Sequence, residues 1–333
     1  MEIGKVPENV LKRSVMGQIH KNRKEVLSGS SVGEDCALLD FGEDFQVVTS
    51  TDPITGASEE EGRLAVHITA NDLASSGAEP VAMLFTVLLP PDSDEALLKG
   101  IMKEASEEAE SLNITIAGGH TEVTDAVSKP LLSVTGFGKV RKGHFIKTGG
   151  AKPGMDLIAT KWIGLEGTSI IAREYEDELQ QKFPFELVDT AIHFDKFISV
   201  VKDGLVAAKF GAAAMHDVTE GGIYGAIWEM CESSKVGCEV YLKDIPIKQE
   251  TVEISEYFDI DPYRLISSGS MLIAANDGYG LVQELMKNGV EASVIGRTTE
   301  NNDRLIINGE RRRFLTPPST DELYRVKSKL VDG

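Results

Sequence analysis

The chain has little with which to build a disulfide framework, a zinc site or a nucleic-acid surface. Its three cysteines, Cys36, Cys231 and Cys238, are odd in number, and none is spaced C-x-x-C. A paired disulfide scaffold and a structural zinc cluster are therefore not expected. Cations are also scarce: 34 Lys and Arg stand against 53 Asp and Glu, a net charge of -19. A surface that holds a polyanion or an anionic membrane needs clustered Lys and Arg, so no nucleic acid and no membrane partner is expected. No apolar run reaches bilayer length, and the opening MEIGKVPENVLKR lacks the apolar core of a signal peptide. A cytoplasmic location is the expectation.

What remains is an ordinary globular composition, 41% hydrophobic and 26% charged. At 333 residues it exceeds what one core usually covers, so two domains are expected. The acidic excess suits divalent cations. An anionic substrate such as a nucleotide would have to be met locally, by metal, Gly-rich backbone or a few basic residues.

The stretch Gly62–Pro80, GRLAVHITANDLASSGAEP, reads as a helix closed by Gly77 and Pro80. Leu64, Ile68 and Asp72 recur at i, i+4, which places a carboxylate on what would otherwise be a core-facing stripe, with Asn71 beside it. A buried carboxylate is costly without a partner or a metal; a bond to a neighbouring loop is the plainer account. Two more acids stand at strand ends, Asp35 after Gly33 and Asp52 before Pro53. Singly they are turn residues; together with Asp72 they form a set of the kind that Mg²⁺ uses alongside substrate phosphates.

Strands are expected at 45–52, 81–89 and 131–140, where Gly136 and Gly138 imply close backbone packing. A helix is expected at about 94–112, with Asp92 and Glu95 as a capping box. In NITIAGGHTE a short strand runs into Gly118 and Gly119, and His120, Thr121 and Glu122 then stand where they could touch a phosphate or its metal; a tight turn is the alternative. The glycine-bearing stretch Arg141–Gly154 marks a boundary. Beyond it, GLEGT at 164–168 is a Gly-rich turn before a helix, without the full P-loop pattern. Helical segments follow at about 168–180 and 186–210. In AAAMHDVTEGG a short strand leads through His216, Asp217 and Thr219 to Gly221 and Gly222, whose turn would leave the first helical N–H groups open to an anion, with Thr219 as cap. His216 reads as a core histidine. NDRLIINGERRRF is hairpin-like, and the polar tail ends in a terminal helix or disorder.

In order, GEDCALLD, TSTDP, AVHITANDLASSGAEP, AGGHTE and VTGFG resemble the N-terminal domain of the aminoimidazole ribonucleotide synthetase (PurM-like) superfamily. KPGMDLIAT, GLEGT, HDVTEGG, SSGSMLIAA and ASVIGRTT resemble its C-terminal domain, and GKVP with the ND helix looks closest to the hydrogenase-maturation carbamoyl dehydratase (HypE-like) branch. The resemblance implies an α+β architecture of two domains: 1–150, strand-rich, dimer-forming and binding ATP and Mg²⁺; 151–310, an α/β sandwich on the acceptor side; then the tail 311–333. It implies a homodimer through the N-terminal sheets and transfer of a phosphoryl group from ATP to a small amide, carbonyl or phosphate-bearing acceptor. By position, Asp35, Asp52 and Asp72 would hold Mg²⁺, Asn71 would support them, and Gly118, Gly119 and Thr121 would line the phosphates. Asp217, Gly221 and Gly222 would line the acceptor side; Asp35, Asp72 and Asp217 are the catalytic candidates; and after the glycine pair His120 stands where relatives have an acid, leaving either His120 or Glu122 to take its place, with Glu122 the candidate metal ligand. Two alternatives stand beside this: a non-catalytic nucleotide-binding scaffold or sensor, and a small-metabolite kinase resembling thiamine-monophosphate kinase. The dehydratase branch ends in a cysteine, whereas this chain ends Lys-Leu-Val-Asp-Gly.

Overall fold

The computed structural model describes residues 26–28, 36–40, 42, 44–54 and 61–329. They form two compact units that divide between Phe145 and Ile146. Each is built around its own sheet.

The first unit holds β1 (Val26–Ser28), β2 (Ala37–Leu39), β3 (Phe45–Ile54), α1 (Glu61–Ser75), β4 (Glu79–Leu89), α2 (Glu95–Ser111), β5 (Thr115–Val123) and β6 (Leu131–Arg141). The strand order is β1-β2-β3-β6-β4-β5. Only β4 and β5 run parallel, and α2 supplies the crossover that parallel neighbours need. Asp94, not Asp92, caps α2: its carboxylate accepts from the Leu97 N–H at 2.8 Å because the helix begins two residues later than a box from Asp92 requires.

Helix α1 is buried nearly all round, and its core side is rotated from the stripe read in the sequence. Ala65, Val66, Ala70, Leu73 and Ala74 are fully buried, whereas Leu64 and Ile68 are half-buried. The reason is contact on two sides. A Cβ on Gly136 of β6 would run into Thr69 and Leu73, and one on Gly62 would strike the Ile101 carbonyl of α2. Glycine at these points lets backbone approach backbone, so small residues on α1 face both neighbours. Away from α1, β4 and β6 present Ala82, Leu84, Thr135 and Phe137, all at least partly exposed.

The second unit contains β7 (Asp156–Thr160), α3 (Leu165–Glu174), α4 (Glu176–Gln180), α5 (Phe185–Ile192), α6 (Val201–Phe210), β8 (Ala214–Val218), α7 (Gly222–Ser234), β9 (Gly237–Tyr241), α8 (Gln249–Tyr257), β10 (Ser270–Ala275), α9 (Gly278–Lys287), β11 (Ala292–Thr299), β12 (Arg304–Asn308), β13 (Arg311–Phe314) and α10 (Glu322–Lys329). Its sheet runs β13-β12-β9-β11-β7-β10-β8. Strand alternation splits the apolar side chains between two layers. Leu157, Ala159, Leu272 and Ala274 pack with α7, whereas Ile158, Met271 and Ile273 pack with α9. A sandwich of helices on both faces follows.

The helix expected at 186–210 is broken between Phe197 and Val201. Lys161 donates to the Ser199 carbonyl at 2.9 Å, so that acceptor serves a tertiary contact instead of a helical ladder, and Gly269 packs closely on the Phe197 carbonyl. Among the described residues no helix is long and apolar enough to cross a membrane.

Candidate active site

Asp72 lies in the last turn of α1 and is 4% exposed. Ser50 of β3 donates its hydroxyl hydrogen to the Asp72 carboxylate. Ser50 faces α1, and two residues further along the strand Asp52 falls on the same face, half-exposed. Cys36 donates its thiol to the Asp72 carbonyl at 3.1 Å and packs with Leu38, Val48 and Leu73. Asn71 is buried beside Asp72. Asp35 lies outside the described residues. Carboxylate and hydroxyl oxygens on one face are the donor set of a hard cation, so the residues present fit Mg²⁺.

The segment after Ala117 differs from a turn. β5 runs through Gly118 and Gly119 to Val123 as the edge strand of the sheet. Their φ angles are 150° and 149°, and a Cβ on Gly119 would overlap the Phe85 carbonyl of β4. Glycine is thus required there by the β4–β5 ladder. His120, Thr121 and Glu122 are exposed on this strand, and His120 Nε2 lies 3.3 Å from Glu122 Oε2. Among the described residues no three of His, Cys, Asp and Glu gather as metal ligands.

In the second unit the glycine turns after β7 and β8 meet the loop 263–268. Gly164 (φ 72°) donates its N–H to Ser267 Oγ at 2.6 Å, and Gly167 donates to the Ile266 carbonyl at 3.1 Å. At the other turn Gly221 has φ 83° and Gly222 φ 61°, both left-handed, and a Cβ on Gly222 would strike the Tyr263 and Leu265 carbonyls. Thr219 contributes its main-chain carbonyl to the Gly222 N–H at 3.0 Å; no side chain caps α7 in that manner. The Tyr224 N–H donates to the Tyr263 carbonyl at 3.2 Å. The first N–H groups of α7 are thus met by the chain itself, because the loop packs directly on the turn.

Asp217 is buried on β8, and its neighbour His216 holds Glu229 of α7 at 2.8 Å through Nε2. Two further acids stand here without a signature in the sequence. Glu166, wholly buried on α3, accepts from the Ser268 N–H at 3.3 Å, and burial pushes its carboxyl up to about 7. Asp321 accepts from the N–H groups of Gly221, Ile266 and Leu323 at 2.7, 3.2 and 2.9 Å, and burial pushes it up to about 6. Asp321 is 100 residues from Gly221, and only the fold brings them together. Ser50 escaped notice for the same reason: its role rests on a partner 22 residues away.

Residues 33–140 match the AIR synthase related protein, N-terminal domain, and residues 152–308 match the AIR synthase related protein, C-terminal domain. A Methanocaldococcus jannaschii protein assigned to hydrogenase expression/formation is 28% identical over 335 residues, 97% of each chain. The crystal structure of a HypE–HypF complex gives a TM-score of 0.78 at 21% identity, over 93% of this chain and 99% of that one. HypE in complex with ATP gives 0.68 at 18% identity, over 92% of each chain. At such identities the solved structures speak for the fold. With both domains matched in order and the fold shared, the chain belongs to the AIR synthase related family, in its HypE-like branch.

Proposed function

We propose that the chain is an ATP-dependent enzyme that binds Mg²⁺–ATP on its first unit and passes a phosphoryl group to a small acceptor on its second. The observation that carries this reading is the Asp72 carboxylate, buried on α1, held by Ser50 and facing the same side of β3 as Asp52. Phosphoryl transfer is mostly positioning and charge neutralisation, so an oxygen-lined cradle is the machinery it needs. Asp52 and Asp72, joined by Asp35, would hold the metal, which when bound neutralises phosphate charge; Asn71 would keep Asp72 in place. β5 is an edge strand, so alternate N–H groups along Gly118–Thr121 point away from β4 and suit phosphate oxygens. Asp217 with Gly221 and Gly222 would face the acceptor, an amide, carbonyl or phosphate-bearing molecule. The partly exposed sheet surface around Leu84 and Phe137 would pair two copies of the chain as a homodimer.

A HypE relative has been solved with ATP, which supports nucleotide use by this fold. Calorimetric titration of ATP with and without Mg²⁺ tests the reading. Metal-dependent binding that weakens by about tenfold or more in Asp72→Asn is expected, since one charged ligand is lost while shape is kept. Equal affinity in wild type and variant removes Asp72 from the site, and no binding under either condition overturns nucleotide use altogether.

A further inference from the structure

Strand β13, Arg311–Phe314, is the last of its sheet and among the described residues pairs with β12 alone. It lies past residue 308, where the match to the C-terminal domain ends. The opposite edge, β8, is buried at all five residues, whereas all four residues of β13 are exposed. An open strand edge is a template for another chain, and charged side chains on a short edge are a common way of blunting it. Three arginines in a row can serve that end, so the detail of the edge decides.

The register fixes which backbone groups face outward. Asn308 stands opposite Arg311 and Ile306 opposite Arg313, and the Leu315 N–H donates to the Arg304 carbonyl at 2.8 Å. Hydrogen-bonded pairs alternate along an antiparallel ladder, so Arg311, Arg313 and Leu315 turn their backbone groups to β12. Arg312 and Phe314 turn theirs away from the sheet. The side chains alternate as well, with Arg311 and Arg313 on one face and Arg312 and Phe314 on the other. Arg313 is held in place, its guanidinium donating to the Tyr224 hydroxyl and lying 5.1 Å from the centre of that ring. Arg312 is 3.7 Å from Glu239 of β9 with 64% of its side chain exposed, a loose pair that contributes little and leaves the guanidinium open. Phe314 beside it is 68% exposed. Blunting an edge calls for no bare aromatic ring. A guanidinium, moreover, meets a carboxylate through two parallel bonds, which a lysine cannot do.

We propose that β13 is a docking edge for an extended acidic segment of another protein, which joins the sheet as an antiparallel strand. Charge selects the occupant: a second copy using the same edge would bring two runs of three arginines together, and like charges across strands are destabilising. A strand matched to this edge reads, from its N-terminus, an apolar residue opposite Phe314 and then three acids opposite Arg313, Arg312 and Arg311. Its apolar residue and second acid exchange backbone hydrogen bonds with Phe314 and Arg312, and its first and third acids turn their amides to solvent. Main-chain bonds then supply affinity, and the alternating side chains supply selectivity. Docking here is separate from whatever the first unit does with ATP.

Fluorescence anisotropy of a labelled peptide with the core Val-Glu-Asp-Glu, titrated with the full chain, tests this. Saturable binding is expected, weakened by about tenfold or more in Arg312→Glu, where a like charge meets the second acid. Phe314→Pro removes one outward N–H and no bond to β12, and is expected to weaken binding by about three- to tenfold. Both variants should keep a cooperative melt, because β13 places no side chain in the core. Backbone methylation separates strand pairing from plain charge attraction. Methyl groups on the Val and Asp nitrogens are expected to abolish binding, whereas methyl groups on the two Glu nitrogens are expected to leave it intact. Equal affinity for the two methylated peptides, wild-type affinity in Arg312→Glu, or no binding of the parent peptide overturns the docking edge. Sedimentation that shows a dimer lost in Arg312→Glu would give the edge to a second copy and overturn it as well.

Discussion

The hydroxyl of Ser50 on β3 is hydrogen-bonded to the carboxylate of Asp72 on α1, tying the strand to the helix at a buried point. Removing the hydroxyl leaves the carboxylate short of a donor where water does not easily replace it. Ser50→Ala is expected to cost about 1–3 kcal/mol in denaturant unfolding and to weaken Mg²⁺–ATP binding. Ser50→Thr keeps the donor and should restore most of the binding. If Ala and Thr variants bind Mg²⁺–ATP alike, the hydroxyl does not position Asp72.

Lys161 stands just past β7 in a left-handed conformation, φ 51°, with its ammonium 2.7 Å from Asp203 and 2.9 Å from the Ser199 carbonyl. Burial lowers the Lys161 ammonium from its usual value, and the Asp203 carboxylate opposes that loss. Cutting such a pair strands one charge in the interior. Asp203→Ala is expected to destabilise by about 3–5 kcal/mol, whereas Lys161→Met with Asp203→Leu should recover much of it. Thermal unfolding of the three variants decides; a single variant no worse than the double would show that the pair is not what holds β7 to α6.

Gly136 leaves no room for a side chain, because a Cβ would sit 2.5 Å from Thr69 Cγ2 and 3.0 Å from Leu73 Cδ1. Overpacking of this kind costs about 1–3 kcal/mol, which is expected for Gly136→Ala in urea unfolding. Thr69→Ser removes the methyl in the way and should return part of the loss. Strict additivity of the two substitutions would mean that they do not meet.

Where local pattern and tertiary demand agree, the elements were legible in the sequence. β3, β4, β6 and α1 carry their own signals, in β-branched runs, a Pro stop and a closing Gly, and Gly136 with Gly138 signalled close packing, which the structure supplies from α1 and the turn after it. Asp72 was legible as an anomaly, a carboxylate within an apolar helical pattern, and the structure buries it. The rotation of α1 was not, since two buried faces blur a 3.6-residue period. Nor was the fate of the glycine turns: the same Gly-Gly pair that admits an anion also admits a neighbouring loop, and only tertiary structure shows Tyr263 and Leu265 filling that space. Asp321 and Glu166 gave no signal at all, because their significance is their burial.

Glu166 and Asp321 make the second unit sensitive to pH on the neutral side. Burial is the main cause in both, carrying Glu166 from 4.5 to about 7 and Asp321 from 3.8 to about 6. A carboxyl raised on folding contributes stability that is complete below its unfolded value and is lost as pH rises through its folded one. The window therefore runs from about 4 up to about 7, and unfolding free energy should fall across it. Around these groups stand Glu220, which adds repulsion, and the N–H donors of Ser268, Gly221, Ile266 and Leu323, which favour the charged form. The opposite limit lies elsewhere: Glu108, hydrogen-bonded to His67, and Glu232, bonded to Lys235 and Arg304, are both held down at about 2, and their contribution is lost only as pH falls below 4.5 toward that value. Glu166→Gln keeps the shape without the titration. Its stability, followed by urea unfolding from pH 5 to 8, is expected to decline less steeply than that of the wild type. Parallel curves for the two proteins would place the pH response outside Glu166.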